Sequence, residues 1–184
     1  MRRIDYGIGG RTDSIGCRVS TILSGINQIG IVVRDVNKTV RRYWSLFGIG
    51  PWNIYDYVPP KLTETVVRGK SQPYSMRVAL ATFGGGVIEL IEPVAGKSIY
   101  EEFLSTSCEG VHHLACYTSK DVAGEIERMK RVGIEVLQTG KYVVGDFSAW
   151  FTYMDTASEL GTIIEFVRIE GKRPKPDEIF PSGQ

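Results

Sequence analysis

The sequence contains few cysteines and histidines, the residues that form disulfides and structural zinc sites in small proteins. Among 184 residues there are three cysteines and two histidines. Cys17, Cys108 and Cys116 form no Cys-x-x-Cys pair, which argues against a disulfide framework and a structural zinc site. Reduced thiols in a cytoplasmic protein are the expected state.

The sequence also lacks an excess of charge of one sign and any long apolar run. Lys and Arg total 22 against 21 Asp and Glu, so neither nucleic acid nor an anionic membrane surface is expected as a partner. The longest apolar runs, such as Ile29–Val33 and Gly86–Ile91, are far shorter than the roughly 20 residues that a membrane-spanning helix needs. With 42% apolar residues, the chain is expected to form one soluble globular domain.

The two ends of the chain differ from its middle. Residues 1–25 are rich in Gly, Ser, Thr and Arg without sustained periodicity, which predicts a flexible N-terminal extension. Residues 171–184 contain Pro174, Pro176 and Pro181, and they are predicted to form a flexible C-terminal tail. Residues 26–170 between them are predicted to form the folded domain.

Two stretches of this domain begin in the same way. Each opens with an apolar, largely β-branched segment that contains polar side chains and is fit for a buried strand. Each continues to an Asp-Val pair, where Asp is a good helix start. The strands are Ile26–Val33 and Val111–Thr118, and the pairs are Asp35-Val36 and Asp121-Val122.

The two stretches also continue in the same way. An amphipathic helix is predicted in each, ending at Gly48 or Gly133, and three strand-like segments follow. These segments are Trp52–Tyr57, Met76–Phe83 and Val87–Ile91 in the first half, and Ile134–Leu137, Ala149–Tyr153 and Ile163–Val167 in the second. The sequence therefore predicts an α+β fold of paired βαβββ modules, about 26–93 and 110–168, with a sheet curved around a cavity.

Four polar side chains occupy matching places in the two modules. Gln28 and His113 lie in the first strands, and Glu89 and Glu165 lie among apolar residues in the last strands. Pleating aims both carboxylates toward the space that their apolar neighbours line. A lone buried carboxylate would cost several kcal/mol or take up a proton.

Two carboxylates, an imidazole and an amide oxygen suit a divalent metal if the modules pack around a pseudo-twofold axis. Taken singly, each position has a structural alternative, because a strand Gln is often on the surface and a His can be a hydrogen-bonded core residue. Taken together, the matching positions favour a metal site.

These residues resemble the vicinal-oxygen-chelate superfamily, which contains glyoxalase I, bleomycin-resistance proteins and extradiol dioxygenases and is built from paired βαβββ modules. The likeness covers about residues 26–168 and is greatest to the methylmalonyl-CoA epimerase branch. It is carried by Asn27–Val33 with Tyr43-Trp44, Gly48–Trp52, Glu89–Pro93 and Gly110–His113.

The resemblance implies that Gln28, Glu89, His113 and Glu165 are the metal ligands and that His112 faces away. The epimerase branch usually has His and often Gln at the first two positions, whereas Gln, Glu, His, Glu is the set of some glyoxalase I enzymes. The resemblance also implies an acidic base shortly before the strand Met76–Phe83, but Ser71–Ser75 contains no carboxylate.

A glyoxalase-type site predicts an isomerase, epimerase or lyase. The cofactor would be one divalent ion (Ni, Co, Mn, Zn or Fe) that acidifies a C–H beside a carbonyl or vicinal oxygens. By the resemblance, Glu165 is the first candidate for the base and Glu89 the second. The alternatives are a non-catalytic small-molecule binding protein of the bleomycin-resistance type and an Fe(II) dioxygenase.

The substrate is expected to be a small molecule, and aromatic residues suggest that part of it is apolar or ring-bearing. Most of these aromatics are expected in the core, with the remainder at the cavity mouth. They are Trp44, Trp52, Tyr55, Tyr57, Tyr142, Phe147, Trp150 and Phe151. For a phosphate or CoA portion, Arg41, Arg42, Lys61 and Lys70 are available. A homodimer is expected, because a half-open sheet leaves edges to cover.

Overall fold

A computed structural model describes residues 25–118 and 122–182. The predicted extension therefore lies outside the described residues except for Gly25, as does Asp121 of the second predicted helix start. The described strands are β1 Gln28–Val32, β2 Trp52–Tyr57, β3 Leu62–Val67, β4 Lys70–Ser71, β5 Ser75–Phe83, β6 Gly86–Ala95, β7 Gly110–Tyr117, β8 Val136–Val144, β9 Phe147–Met154, β10 Ile163–Glu170 and β11 Glu178–Phe180. The described helices are α1 Val36–Phe47, α2 Ile99–Thr106, α3 Val122–Arg131 and α4 Ala157–Leu160.

The ends of α1 follow from its sequence. Asp35 caps the first turn, because its side chain accepts a hydrogen bond from the Lys38 N–H at 2.8 Å. Gly48 ends the helix in the left-handed conformation with φ 66°, which glycine adopts at little cost. Within the described ranges, none of the helices is long and apolar enough to cross a membrane.

All the described strands belong to one mixed sheet in the order β11-β2-β5-β6-β1-β7-β10-β9-β8-β3-β4. The centre is symmetrical: β1 and β7 pair antiparallel, β1 is parallel to β6, and β7 is parallel to β10. The first and last strands of each module therefore lie side by side in the middle of the sheet. The sheet curls into a half-barrel, and the predicted fold of paired βαβββ modules is confirmed.

The core lies on both sides of the sheet. On one side, Val36 and Val40 of α1 pack with Trp52, Ile54 and Leu90. On the other side, a larger cluster rich in tyrosine lines the inside of the curve. The polar residues of the central strands face this second cluster, so the candidate site is built into the wall of a mostly apolar interior.

A hairpin of β3 and β4 is an addition to the predicted modules. It follows Pro60, and β3 pairs with β8 of the second module, so a segment from the first half extends the second half of the sheet. The pairing shifts register between Thr63 and Val66, and Glu64 has φ 51°. This irregularity breaks the alternation by which a strand is found in a sequence.

The C-terminal segment differs from the predicted flexible tail. Residues 178–180 form β11, which pairs antiparallel with β2 at the edge of the sheet. The Asp177 carboxylate accepts hydrogen bonds from the Asp56 N–H at 2.9 Å and from Lys61 Nζ at 3.2 Å. Residues 171–177, which contain Pro174 and Pro176, form no helix or strand, but long-range contacts hold the segment against the domain.

Candidate metal centre

The four predicted site residues lie on the four central strands. Gln28 is on β1, Glu89 on β6, His113 on β7 and Glu165 on β10. Gly30 of β1 is the register partner of both Glu89 and His113, so these two side chains flank one backbone position from opposite sides. Glu165 is level with Ala115, two residues after His113 on the neighbouring strand.

Glu89, His113 and Glu165 form a compact cluster. One ligand atom from each lies within 4.8 Å of the others. His113 Nε2 is 3.2 Å from Glu165 Oε2 and 3.4 Å from Glu89 Oε2. His113 is fully buried and Glu165 is 2% exposed, whereas the Glu89 side chain is 12% exposed. The structure thus brings together three of the four predicted ligands.

Two atoms of this cluster are buried without a hydrogen-bond partner: His113 Nε2 and Glu165 Oε2. A buried polar atom left without a partner is costly, and such atoms often mark a ligand-binding position. Two carboxylates and an imidazole are donors that a divalent transition metal accepts. The residues present therefore fit a metal ion.

The fourth predicted ligand, Gln28, lies beside the cluster in a hydrogen-bonded chain. Its Nε2 donates to Glu89 Oε2 at 2.6 Å, and its Oε1 accepts from the Tyr117 hydroxyl at 2.6 Å. Tyr117 is in turn held by its backbone N–H, which donates to Asn27 Oδ1 at 2.8 Å. Gln28 thus presents its amide nitrogen to the cluster and its oxygen to Tyr117.

His112 is absent from the cluster, as predicted, but it contacts His113. The Nδ1 atoms of the two rings are 3.0 Å apart. Burial lowers the pKa of His112 to about 3, so its ring is neutral, whereas the pKa of His113 is raised to about 9, so both of its ring nitrogens carry a proton. His113 Nδ1–H therefore donates to His112 Nδ1, which leaves His113 Nε2 facing the two carboxylates.

The electrostatics of the cluster are those of a cation site. Burial alone would lower the pKa of His113, but Glu165 and Glu89 raise it to about 9, so a proton holds the place in the absence of another cation. Burial raises the pKa of Glu89, and His113 opposes that shift. The surroundings favour one added positive charge among these three side chains.

Gly30 makes room for the His113 ring. A Cβ atom at residue 30 would lie 1.8 Å from His113 Cε1 and 2.0 Å from His113 Nε2. No side chain other than hydrogen can occupy this position while the imidazole stays in place. The equivalent residue of the second module is Ala115, which is fully buried.

The cluster opens into a small cavity of about 30 Å³, which is enough for an ion and a water molecule. Two of the predicted aromatics, Tyr57 and Phe151, line it, whereas Arg41, Arg42, Lys61 and Lys70 are not among its lining residues. The other lining side chains are those of Gln28, Met76, Glu89, Tyr117, Ala149, Tyr153, Glu165, Val167 and Arg173.

Sequence reasoning missed three polar side chains among these lining residues. Tyr117 lies four residues after His113 on β7. Because side chains alternate between the two faces of a strand, the sequence could have placed both on the same face. Tyr153 lies on β9 beside Glu165, to which it is matched in register. Arg173 comes from the C-terminal segment, and no local pattern marks it, because only the long-range pairing of β11 with β2 places it there.

The chain matches a known protein family over most of its length. Residues 27–152 match the sequence profile of the Glyoxalase/Bleomycin resistance protein/Dioxygenase superfamily, and the chain belongs to that family.

Particular relatives are epimerases. The chain is 21% identical over 149 residues to the ethylmalonyl-CoA/methylmalonyl-CoA epimerase of Cereibacter sphaeroides, covering 80% of this chain and all of that protein. The methylmalonyl-CoA epimerase of Mycobacterium tuberculosis has a TM-score of 0.56 at 18% identity, over 82% of this chain and 91% of that one. The Streptomyces coelicolor methylmalonyl-CoA epimerase in complex with 2-nitronate-propionyl-CoA has a TM-score of 0.53 at 25% identity, over 79% and 97%.

Proposed function

We propose that this protein is a metal-dependent enzyme that removes a proton from a carbon next to a carbonyl and returns one, as an epimerase or isomerase does. The observation that carries the proposal is the buried cluster of Glu89, His113 and Glu165, in which two ligand atoms have no hydrogen-bond partner. The similarity to epimerases supports the same class of reaction.

The proposed ligands are Gln28, Glu89, His113 and Glu165. A divalent ion bound there would polarise the substrate carbonyl and so acidify the neighbouring C–H. His113 would bind through Nε2, because its Nδ1–H is engaged by His112. For Gln28, half a turn of the amide exchanges its oxygen and nitrogen, and the Tyr117 hydroxyl, which now donates to the oxygen, can instead accept from the nitrogen.

Glu165 is the proposed base and Glu89 the second candidate. Glu165 lies at the buried end of the cluster and is 2% exposed. A metal-bound carboxylate that dissociates from the ion can act as the base, and the resemblance to glyoxalase-type enzymes supports this role for Glu165. Tyr153, which packs edge-on against the His113 ring at 5.0 Å between centroids, forms the adjacent wall.

Metal content of the purified protein tests the first half of the proposal. We expect about one divalent ion per chain by mass spectrometry, and its loss in His113→Ala and Glu165→Ala. Glu159→Gln removes an exposed carboxylate outside the site and should keep the ion. A parent protein that binds none of Ni, Co, Mn or Zn would contradict the proposal and favour the binding-protein alternative.

Isotope exchange tests the second half. The metal-loaded protein should catalyse exchange of the acidic C–H of an enolisable carbonyl compound with deuterated water, with methylmalonyl-CoA and ethylmalonyl-CoA as first compounds. Glu165→Gln should retain metal but lose exchange by about 100-fold or more, the usual contribution of a general base. Full activity in that variant would show that Glu165 is not the base and would leave Glu89 as the candidate. Oxygen consumption would instead indicate the dioxygenase alternative.

A further inference from the structure

Arg173 is the only cationic side chain among the described residues that line the cavity of the metal centre. It lies between β10 and β11, beyond residue 152, where the family match ends. Its Cζ is 5.2 Å from the Phe147 ring centroid and 5.7 Å from that of Tyr55. The guanidinium is therefore packed against the wall of the interior, unlike a side chain on a solvated tail.

The position of Arg173 is fixed on both sides. Before it, Gly171 crosses so close to the turn between β8 and β9 that a Cβ would lie 2.3 Å from the Asp146 carbonyl oxygen. After it, Asp177 and β11 anchor the segment to β2. One residue separates Arg173 from Gly171, and three separate it from Asp177. The backbone of Arg173 therefore has little freedom to move the guanidinium away from the cavity.

Arg173 has no carboxylate partner among residues 25–118 and 122–182. Its one hydrogen bond joins Nη1 to the Tyr57 hydroxyl at 3.5 Å, so most of its five N–H donors have no acceptor from the chain. By contrast, the half-buried Arg77 is paired with Asp56 and Glu178. The N–H groups of this partly buried guanidinium that have no acceptor from the chain are available to an anion in the cavity.

The charges around the cavity lead to the same conclusion, given the proposed function. Glu89 and Glu165 carry two negative charges, which a divalent ion balances. Arg173 then leaves one positive charge in excess among the lining residues. A substrate with one negative group would neutralise the site, whereas a neutral substrate would leave the arginine uncompensated.

We propose that Arg173 binds an anionic oxygen group of the substrate, a carboxylate or a phosphate, while the proposed metal holds its carbonyl. This inference rests on the proposed function and specifies its substrate class: an enolisable carbonyl compound that carries a negative group. The planar fork of the guanidinium matches either group with two parallel hydrogen bonds. Arg173 is thus a specificity-determining residue supplied by the C-terminal segment.

Binding of simple anions to the metal-loaded protein tests this role. The probes are malonate and inorganic phosphate, with malonamide as a neutral control, measured by titration calorimetry. We expect Arg173→Gln to weaken binding of the preferred anion by tenfold or more and to leave malonamide unchanged. Arg173→Lys should recover part of the affinity, because it restores the charge without the fork. The preferred probe identifies the group as carboxylate or phosphate.

Lys175→Gln is the matched control, since it removes an exposed cation from the same segment and should have no effect. Metal titration of every variant comes first, and thermal unfolding checks that each is folded. A parent that takes up no metal would contradict the proposed function. Equal anion affinity in metal-loaded Arg173→Gln and parent, or an equal loss for malonamide, would overturn only the inference about Arg173.

Discussion

At the scale of single residues, a glycine in the site decides whether the imidazole of His113 fits. Gly30 has no ligand atom, but its missing Cβ is the space that the His113 ring occupies. His112 contacts Nδ1 of this imidazole, and the carboxylates of Glu89 and Glu165 lie near its Nε2. The geometry of the candidate metal centre therefore depends on a residue that has no ligand atom of its own.

Gly30→Ala is predicted to damage both stability and metal binding. The added methyl group must displace His113 or spread β1 from β7, at a cost of about 1–3 kcal/mol. Thermal unfolding should show the loss, and metal titration should show weaker binding. Gly110→Ala is the matched control, because a Cβ at that position on β7 meets nothing within 4 Å. Equal behaviour of the two variants would contradict the close approach at Gly30.

At the scale of secondary-structure elements, β11 is a short strand that the Asp177 carboxylate helps to attach to β2. Asp177 accepts hydrogen bonds from the Asp56 N–H and from Lys61. The Asp56 N–H is the main reason that the pKa of Asp177 lies below its usual value of 3.8. Because this pKa is lowered on folding, the ionised Asp177 stabilises the folded protein. This stabilisation is fully present above pH 3.8 and is lost as the pH falls through the folded-state pKa.

Asp177→Ala is predicted to loosen the segment that carries Arg173. Loss of the backbone hydrogen bond should cost about 1 kcal/mol, which lowers Tm by about 2–4 °C in a chain of this size. Amide hydrogen exchange of β11 should become faster, while exchange of β1 and β7 stays slow. Lys61→Met removes only the half-exposed ion pair, so its effect should be about 0.5 kcal/mol or less. A larger loss of stability in Lys61→Met than in Asp177→Ala would show that the ion pair, and not the backbone hydrogen bond, attaches the segment.

At the scale of the whole molecule, the proposed metal would join the two modules. Glu89 belongs to the first, and His113 and Glu165 belong to the second. The β3 and β4 hairpin adds a second link, since it leaves the first module to pair with β8. Both links connect residues far apart in sequence, so the halves are expected to unfold together.

A divalent ion is therefore predicted to stabilise the entire fold in one transition. At a free concentration of one hundred times Kd, the gain is about 2.7 kcal/mol, or about 5–10 °C in Tm. Calorimetry of the parent with and without added Co²⁺ measures it, and His113→Ala should lose the shift. Two separate transitions, with only one moved by the ion, would show that the modules are independent.

The sequence was enough to predict the repeat and the closeness of Glu89, His113 and Glu165, whose role as metal ligands stays a prediction. Both rest on local order: a pleated strand reveals which face Glu89 and Glu165 share with apolar neighbours, and Asp35 and Gly48 mark the ends of a helix. The cluster of Glu89, His113 and Glu165 then follows from the twofold packing of two similar units. Gln28 is a predicted ligand like these three, but its nitrogen rather than its oxygen faces the cluster.

The parts that local pattern could not predict all depend on contacts between distant segments. The irregular β3 is a strand because β8 is beside it, and β11 is a strand because β2 lies at an open edge. Arg173 reaches the cavity for the same reason. Such residues have no periodic neighbours, so their roles become visible only when the whole sheet is assembled.

The order of the site residues along the chain decides when the cluster can form during synthesis. They run from Gln28 on the first strand to Glu165 on the tenth. A growing chain carries Gln28 early but lacks the last member of the cluster until Glu165 has left the ribosome. Before that point Glu89 and His113 have no third partner, so assembly of the cluster depends on the last strand of the second module.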